Sequence, residues 1–197
     1  MIRRGGSTLS YRPHVCAFFH NPDEEYRVLL PFMKDGFACG EKAVHTIDPR
    51  RRDDHLQRLA SAGIDVTAIY RSGQLELRDW TETHLRDGKF DQSRTLALFE
   101  KIRKDAWQQG FPLVRFITYM EGALETELGI GALLEYEAKA NEKWLRQDGP
   151  VSPIICTYDL TKFGGEIIVD IMRTNPMIII DGLLQWTPTG ESVLHSA

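Results

Sequence analysis

The stretch HVCAFFHNPDEEY, residues 14–26, decides how this chain is read. Val15 to Phe19 is an apolar run of strand length. Asn21 can then cap a helix that has Pro22 in its first turn, with Asp23, Glu24 and Glu25 complementing the positive end of the dipole. Tyr26, Leu29, Leu30, Met33 and Phe37 recur at helical spacing. Pro31 deletes an interior hydrogen bond and predicts a kink, and Gly36 and Gly40 are stop signals. Many α/β proteins bind phosphate where a strand turns into a helix in this way. A phosphate loop needs glycines whose N–H groups face the phosphates, plus a Lys and a Ser or Thr. FFHNPDEEY supplies none of these and adds three carboxylates that would repel a triphosphate. The GEK at 40–42 follows the helix instead of preceding it.

Outward from this unit, KAVHTI (42–47) reads as a second strand, DDHLQRLASAG (53–63) as a helix closed by Gly63, and GQLELRDW (73–80) as a third strand. Ser93 caps a helix with Leu96, Phe99, Ile102 and Ala106 on one face, ended by Gly110. FPLVRFIT (111–118) is a fourth strand, GALLEYEAKANEKWLR (131–146) a long helix, and SPIICTYD (152–159) a fifth strand. GGEIIVDIMRTN (164–175) gives another helix, PMIIIDG (176–182) another strand, and LLQW (183–186) a short segment after it. The alternation predicts an α/β fold, a largely parallel central sheet with helices on both faces. Ligands in such sheets sit beyond the carboxyl ends of the strands, which points to 18–23, 118–121 and 158–163.

At 197 residues the chain suits one domain with a substantial core better than two. We expect a flexible segment over 1–11, one domain over 12–188 and a tail over 189–197. A net charge of -4 argues against direct nucleic-acid or acidic-membrane binding as the main business. The densest basic run, DPRRRDD at 48–54, is bracketed by aspartates and reads as a solvated loop. Three widely separated cysteines, without a CxxC or a signal peptide, fit a reduced cytoplasmic protein. The apolar runs around 176–184 fall short of the ~20 residues needed to cross a bilayer.

His14-x-Cys16 and Cys156-x-Tyr158 occupy alternate strand positions, so each pair shares a face. Two thiols, an imidazole and a phenol can pack as core, line an apolar pocket, or hold zinc or iron, with His14, Cys16 and Cys156 as the metal candidates. On the 131–146 helix, Leu134, Ala138, Asn141 and Leu145 form a stripe with Glu137 and Asn141 at its border. Such groups must be hydrogen-bonded, in a network with Tyr158 and Asp159 or to a ligand. Glu135 and Lys139 make a simpler solvent pair, and Thr161 is a possible cap in YDLTKFGGE (158–166). No nucleophile elbow such as GxSxG is present.

HVCAFF, PFMKDGFACGEKAV, GQLELRDW, FDQSRTLALF, LEYEAKANE and CTYDLTKFGGEIIVDIMRTNPMIIIDG together resemble the MEDS domain, the methanogen/methylotroph sensory family named for the regulator of dichloromethane metabolism. The resemblance runs from about 14 to 188. Its most specific pieces are His14-x-Cys16, Glu135-Tyr136-Glu137 with Asn141, and Cys156-x-Tyr158-Asp159 followed by Phe163. It implies a signal-input module for small hydrocarbon-derived compounds on a degenerate RecA/KaiC-like three-layer sandwich that lacks a phosphate loop, with Glu121 following a strand that resembles a Walker B strand. It implies no cofactor. Family members are often fused to an output domain, whereas about ten residues follow Trp186 here, so we expect output through a signalling partner or self-association, with a homo-oligomer.

These readings converge on a cytoplasmic, non-catalytic sensory domain that binds a small, mostly apolar ligand at His14, Cys16, Phe18, Tyr119, Glu121, Glu137, Asn141, Tyr158, Asp159 and Phe163. The alternatives are a divergent NTPase, a thiol- or metal-dependent enzyme, and a pure interaction module.

Overall fold

A computed structural model describes residues 14–83, 92–125, 130–145 and 151–187. The segments expected to be a flexible N-terminus and a tail, and the side chain of Leu145, lie outside the described residues. Seven strands form one sheet: β1 (His14–Phe19), β2 (Lys42–Ile47), β3 (Leu75–Asp79), β4 (Val114–Tyr119), β5 (Ile154–Asp159), β6 (Met177–Ile180) and β7 (Leu183–Trp186). Their order is β3-β2-β4-β5-β1-β6-β7, and every pairing is parallel except β6 with β7. The helices are α1 (Pro22–Ala38), α2 (Arg52–Ser61), α3 (Val66–Arg71), α4 (Trp80–Thr83), α5 (Gln92–Gln108), α6 (Ile130–Leu145) and α7 (Gly165–Thr174), with short 3₁₀ turns at Pro49–Arg51 and Met120–Glu125.

Strand alternation divides β1 between two helical layers. Val15, Ala17 and Phe19 join the core under α1, α2 and α3 with Leu29, Phe32, Met33 and Leu59. Cys16 and Phe18 face the opposite layer with Phe99, Tyr136 and Ile171 of α5, α6 and α7. The result is the expected three-layer α/β sandwich. Parallel register places Cys16 beside Cys156 and Phe18 beside Tyr158, so the two sequence motifs meet across one strand pair.

The Asn21 carboxamide caps α1 by accepting from the Glu24 N–H at 2.9 Å. That helix continues through both interruptions read in the sequence. Pro31 lies on the exposed side of the helix, and Gly36 is buried inside the helix instead of ending it. A Cβ at Gly36 would lie 2.8 Å from Cδ and Nε of Arg115, which explains the glycine by close approach. The α2 helix ends at a Schellman motif as expected: Gly63 has φ 82, its N–H bonds the Ala60 carbonyl at 2.9 Å, and Ile64 N–H bonds Leu59 at 3.2 Å.

Three local expectations are corrected. DPRRRDD is not a solvated loop: Asp48 is buried, the run builds a 3₁₀ turn and the start of α2, and Arg51 turns inward. The packed face of α6 is Leu133, Tyr136, Glu137, Ala140 and Trp144, because burying the two aromatic rings rotates the helix until Ala138 is exposed and Glu137 lies at the centre of the face. Thr161 does not cap α7, whose N-cap is Gly164; its N–H and hydroxyl both donate to Asp159 in a local turn.

Candidate functional site

Below α6, the even-numbered residues of β1 and β5 meet the buried centre of that helix. Glu137, with no exposed surface, accepts from the Cys16 thiol at 3.0 Å on Oε2 and from the Tyr158 hydroxyl on Oε1. His14 Nε2 lies 3.2 Å from Glu137 Oε2 and 3.4 Å from the Cys156 sulfur. On the other side of the ring, His14 Nδ1 meets Asn141 Oδ1 at 2.8 Å. Asn141 Nδ2 donates to the Thr174 carbonyl at 3.1 Å and to Asn175 Oδ1 at 2.8 Å, tying β1 and α6 to the end of α7.

Burial alone would raise the Glu137 pKa. His14 and the hydrogen bonds from His14, Tyr158 and Cys16 instead hold it below the ordinary carboxylate value. Burial and then the Glu137 charge push the Cys16, Cys156 and Tyr158 protons the other way, so thiols and phenol stay neutral around one carboxylate. Donor atoms of His14, Glu137 and Cys156 all lie within 4.8 Å of one another, the geometry of a group that could hold a metal ion.

A second polar cluster occupies the carboxyl edge of the sheet. Arg51 reaches Glu25 at 3.2 Å and Glu121 at 3.8 Å, with its guanidinium 4.8 Å from the centroid of the Tyr119 ring. Both carboxyls are nearly fully buried, and burial raises the pKa of each. Burial works against the Arg51 charge, yet Glu25, Tyr119 and Glu121 hold its pKa above the ordinary value. Phe19, Glu25, Arg51, Glu121, Tyr158 and Asp159 are among the lining of a crevice of about 10 Å³, room for about one water. A larger hollow of about 470 Å³, lined by Trp107, Phe111, Pro112, Leu113, Arg103 and Glu100 among others, opens beside the start of β4 at the opposite edge.

Tyr158 joins the two clusters. Its ring stacks on Phe18 at 5.5 Å, meets Phe163 edge-on at 5.1 Å and lines the crevice, while its hydroxyl is bound to Glu137.

The sequence pattern of the methanogen/methylotroph, DcmR sensory domain, MEDS, matches residues 13–176. This chain belongs to the MEDS family. It is also 23% identical over 172 residues to the transcriptional repressor DcmR of Methylorubrum extorquens, an alignment covering 86% of this chain and 60% of the repressor. The chain therefore spans less than two thirds of that relative's length.

Within this MEDS domain the ten expected site residues fall into three groups. His14, Cys16, Glu137, Asn141 and Tyr158 meet in the buried network, together with Cys156. Phe18 and Phe163 flank the Tyr158 ring. Tyr119 and Glu121 belong to the edge cluster, and Asp159 lines the crevice without entering the Glu137 network; it binds Thr161 and lies 3.6 Å from Lys162.

Sequence reasoning missed Arg51, hidden in a charged run, and Glu25, whose place in the first turn of a helix already explained its charge. It also missed a buried relay on the α2 side, where Tyr26 hydroxyl meets His55 Nδ1 at 2.6 Å and His55 Nε2 meets His45 Nδ1 at 2.9 Å. The imidazole of His45 on β2 and that of His55 on α2 carried no spacing signal.

Among the described residues no helix is long and apolar enough to cross a membrane.

Proposed function

We propose that this MEDS domain is the non-catalytic input module of a regulator, which reads a small, mostly apolar ligand at the carboxyl edge of its sheet. The signal passes to a partner protein or to a second copy of the chain. The observation that supports this most is the double membership of Tyr158. A ligand entering between Tyr158, Glu25, Arg51 and Glu121 must displace either the ring or the Arg51 clasp. Moving the ring strains its hydroxyl bond to Glu137, and with it the contacts that hold α6 and α7 against β1 and β5. A ligand shifts an equilibrium only by interacting differently with two states, and a crevice of about 10 Å³ that must open to admit it provides such a difference. Kinship to a transcriptional repressor supports the regulatory assignment. The Glu121 carboxylate is engaged with Arg51, which weighs against a nucleotide-hydrolysing role for it.

The test is thermal unfolding in sealed cells with alkanes, alcohols and halocarbons of one to four carbons, for the wild type, Tyr158→Phe and Cys39→Ser. At least one compound should stabilise the wild type saturably, by about 2.7 kcal/mol at a hundredfold excess over Kd. Tyr158→Phe should weaken that compound at least tenfold while Cys39→Ser leaves it unchanged. A panel without saturable stabilisation, or equal affinity in all three proteins, overturns the reading.

A further inference from the structure

We propose that His14, Glu137 and Cys156 form a buried binding site for a borderline-soft divalent cation of the zinc class. This inference does not rest on the ligand reading above.

The donor spacing carries it. Zinc bonds of ~2.0–2.1 Å to nitrogen, ~2.0–2.2 Å to oxygen and ~2.3 Å to sulfur, set at the tetrahedral angle, separate nitrogen from oxygen by roughly 3.3–3.5 Å and nitrogen from sulfur by roughly 3.5–3.6 Å. His14 Nε2 lies 3.2 Å from Glu137 Oε2 and 3.4 Å from Cys156 Sγ. Two edges of the polyhedron are thus in place to within a few tenths of an ångström. The Cys16 thiol donates to the same carboxylate oxygen at 3.0 Å and so helps to hold it in place.

Orientation is fixed from behind, as metal ligands require. Because Asn141 Nδ2 donates to Thr174 and Asn175, its Oδ1 is the atom facing His14 and must accept from Nδ1–H. That leaves Nε2 to bind whatever lies between Cys156 and Glu137. On the carboxylate, the Tyr158 hydroxyl occupies Oε1 and turns Oε2 toward the same point.

Charge also balances. A neutral imidazole, one carboxylate and one thiolate carry two negative charges against a dication, so the buried centre is neutral overall. Forming it breaks the Cys156 S–H bond and removes the proton that His14 Nε2 donates to Glu137, makes metal–sulfur and metal–nitrogen bonds and releases both protons to solvent; nothing is oxidised or reduced. A mixed nitrogen, oxygen and sulfur set suits zinc or cobalt better than magnesium or calcium.

The test uses the full chain, refolded with one equivalent of Co²⁺ or Zn²⁺ because the site is buried, alongside elemental analysis of protein purified without chelator. The proposal expects one metal per chain, a thiolate-to-cobalt charge-transfer band in the near ultraviolet and tetrahedral visible bands. Cys156→Ala and His14→Ala should lose binding at least a hundredfold, Glu137→Gln tenfold or more, and Cys39→Ser nothing. Glu137→Gln is isosteric and keeps one oxygen to accept from Tyr158, so it keeps the test decisive if the alanine variants do not fold. Absence of the charge-transfer band at tenfold excess Co²⁺, or an unchanged band in Cys156→Ala or Glu137→Gln, overturns the proposal.

Discussion

Acidification should destabilise this protein through His55, and by an amount the structure allows to be worked out. His55 sits between Tyr26 and His45 with 1% of its surface exposed. Burial, and then the nearby Arg51 charge, lowers its pKa to about 3. An unfolded histidine titrates near ~6.5. With the folded pKa depressed, the contribution to stability is present above ~6.5 and is lost as pH falls toward 3, because the unfolded chain takes up the proton that the folded chain refuses. At pH 5 the unfolded state is ~1.5 units below its pKa while folded His55 is still neutral, so the loss is about 2 kcal/mol. His45, pushed well below its usual range by burial and then by His55, acts in the same direction. Glu25 and Glu121 act the other way, since their raised pKa values give stability that is lost as pH rises. A difference measurement removes these shared terms. Urea unfolding followed by tryptophan fluorescence at pH 7, 6 and 5 should show the wild type losing about 2 kcal/mol more than His55→Gln, which keeps hydrogen-bonding groups but does not titrate. Parallel pH profiles for the two proteins would refute the reasoning.

Further substitutions probe the clusters and the packing. Glu137→Ala strands His14, Cys16 and the Tyr158 hydroxyl and should cost about 3–5 kcal/mol, a melting-point drop of roughly 6–20 °C, with Glu137→Gln losing less than half as much. Arg51→Met leaves two buried carboxyls without their cation and should cost about 2–4 kcal/mol at pH 7. That loss should shrink as pH falls and the carboxyls protonate, which urea titrations at pH 7 and 5 will read. Gly122→Ala would set a Cβ 2.6 Å from the buried Trp80 ring and should lose about 1–3 kcal/mol. Gly131→Ala, at an exposed position with nothing within 4 Å, should be neutral or gain up to about 0.5 kcal/mol in the same melting assay.

The sheet was legible because its signals are local and redundant. Val15 to Phe19, the Asn21 cap and the Gly63 stop each act over a few residues, and their agreement leaves little freedom of architecture. Bringing His14, Cys16, Cys156 and Tyr158 onto one face followed from strand alternation, although only the Cys16–Cys156 register shows that the two motifs are neighbours. Glu137 was harder. Helical periodicity weighs a glutamate as a boundary residue, and only three converging partners, His14, Cys16 and Tyr158, reveal that this one is central. Arg51 and Glu25 were illegible for a related reason. Each had an adequate local explanation in solvent or helix dipole, and their pairing joins residues 26 apart in sequence. The short α3 helix escaped notice because it is held by one cap, Asp65 accepting from Ala68 N–H at 2.9 Å, and by its packing against β3.

Chemical-shift mapping of the isotope-labelled full chain, titrated with the compound that most stabilises it, tests the central claim most directly. The account predicts saturable perturbations centred on Tyr158, Phe163, Glu25, Arg51 and Glu121 and extending through Glu137 into α6 and α7. Perturbations centred on Trp107 and the hollow beside β4, or confined to the edge with no change in α6 and α7, would contradict it.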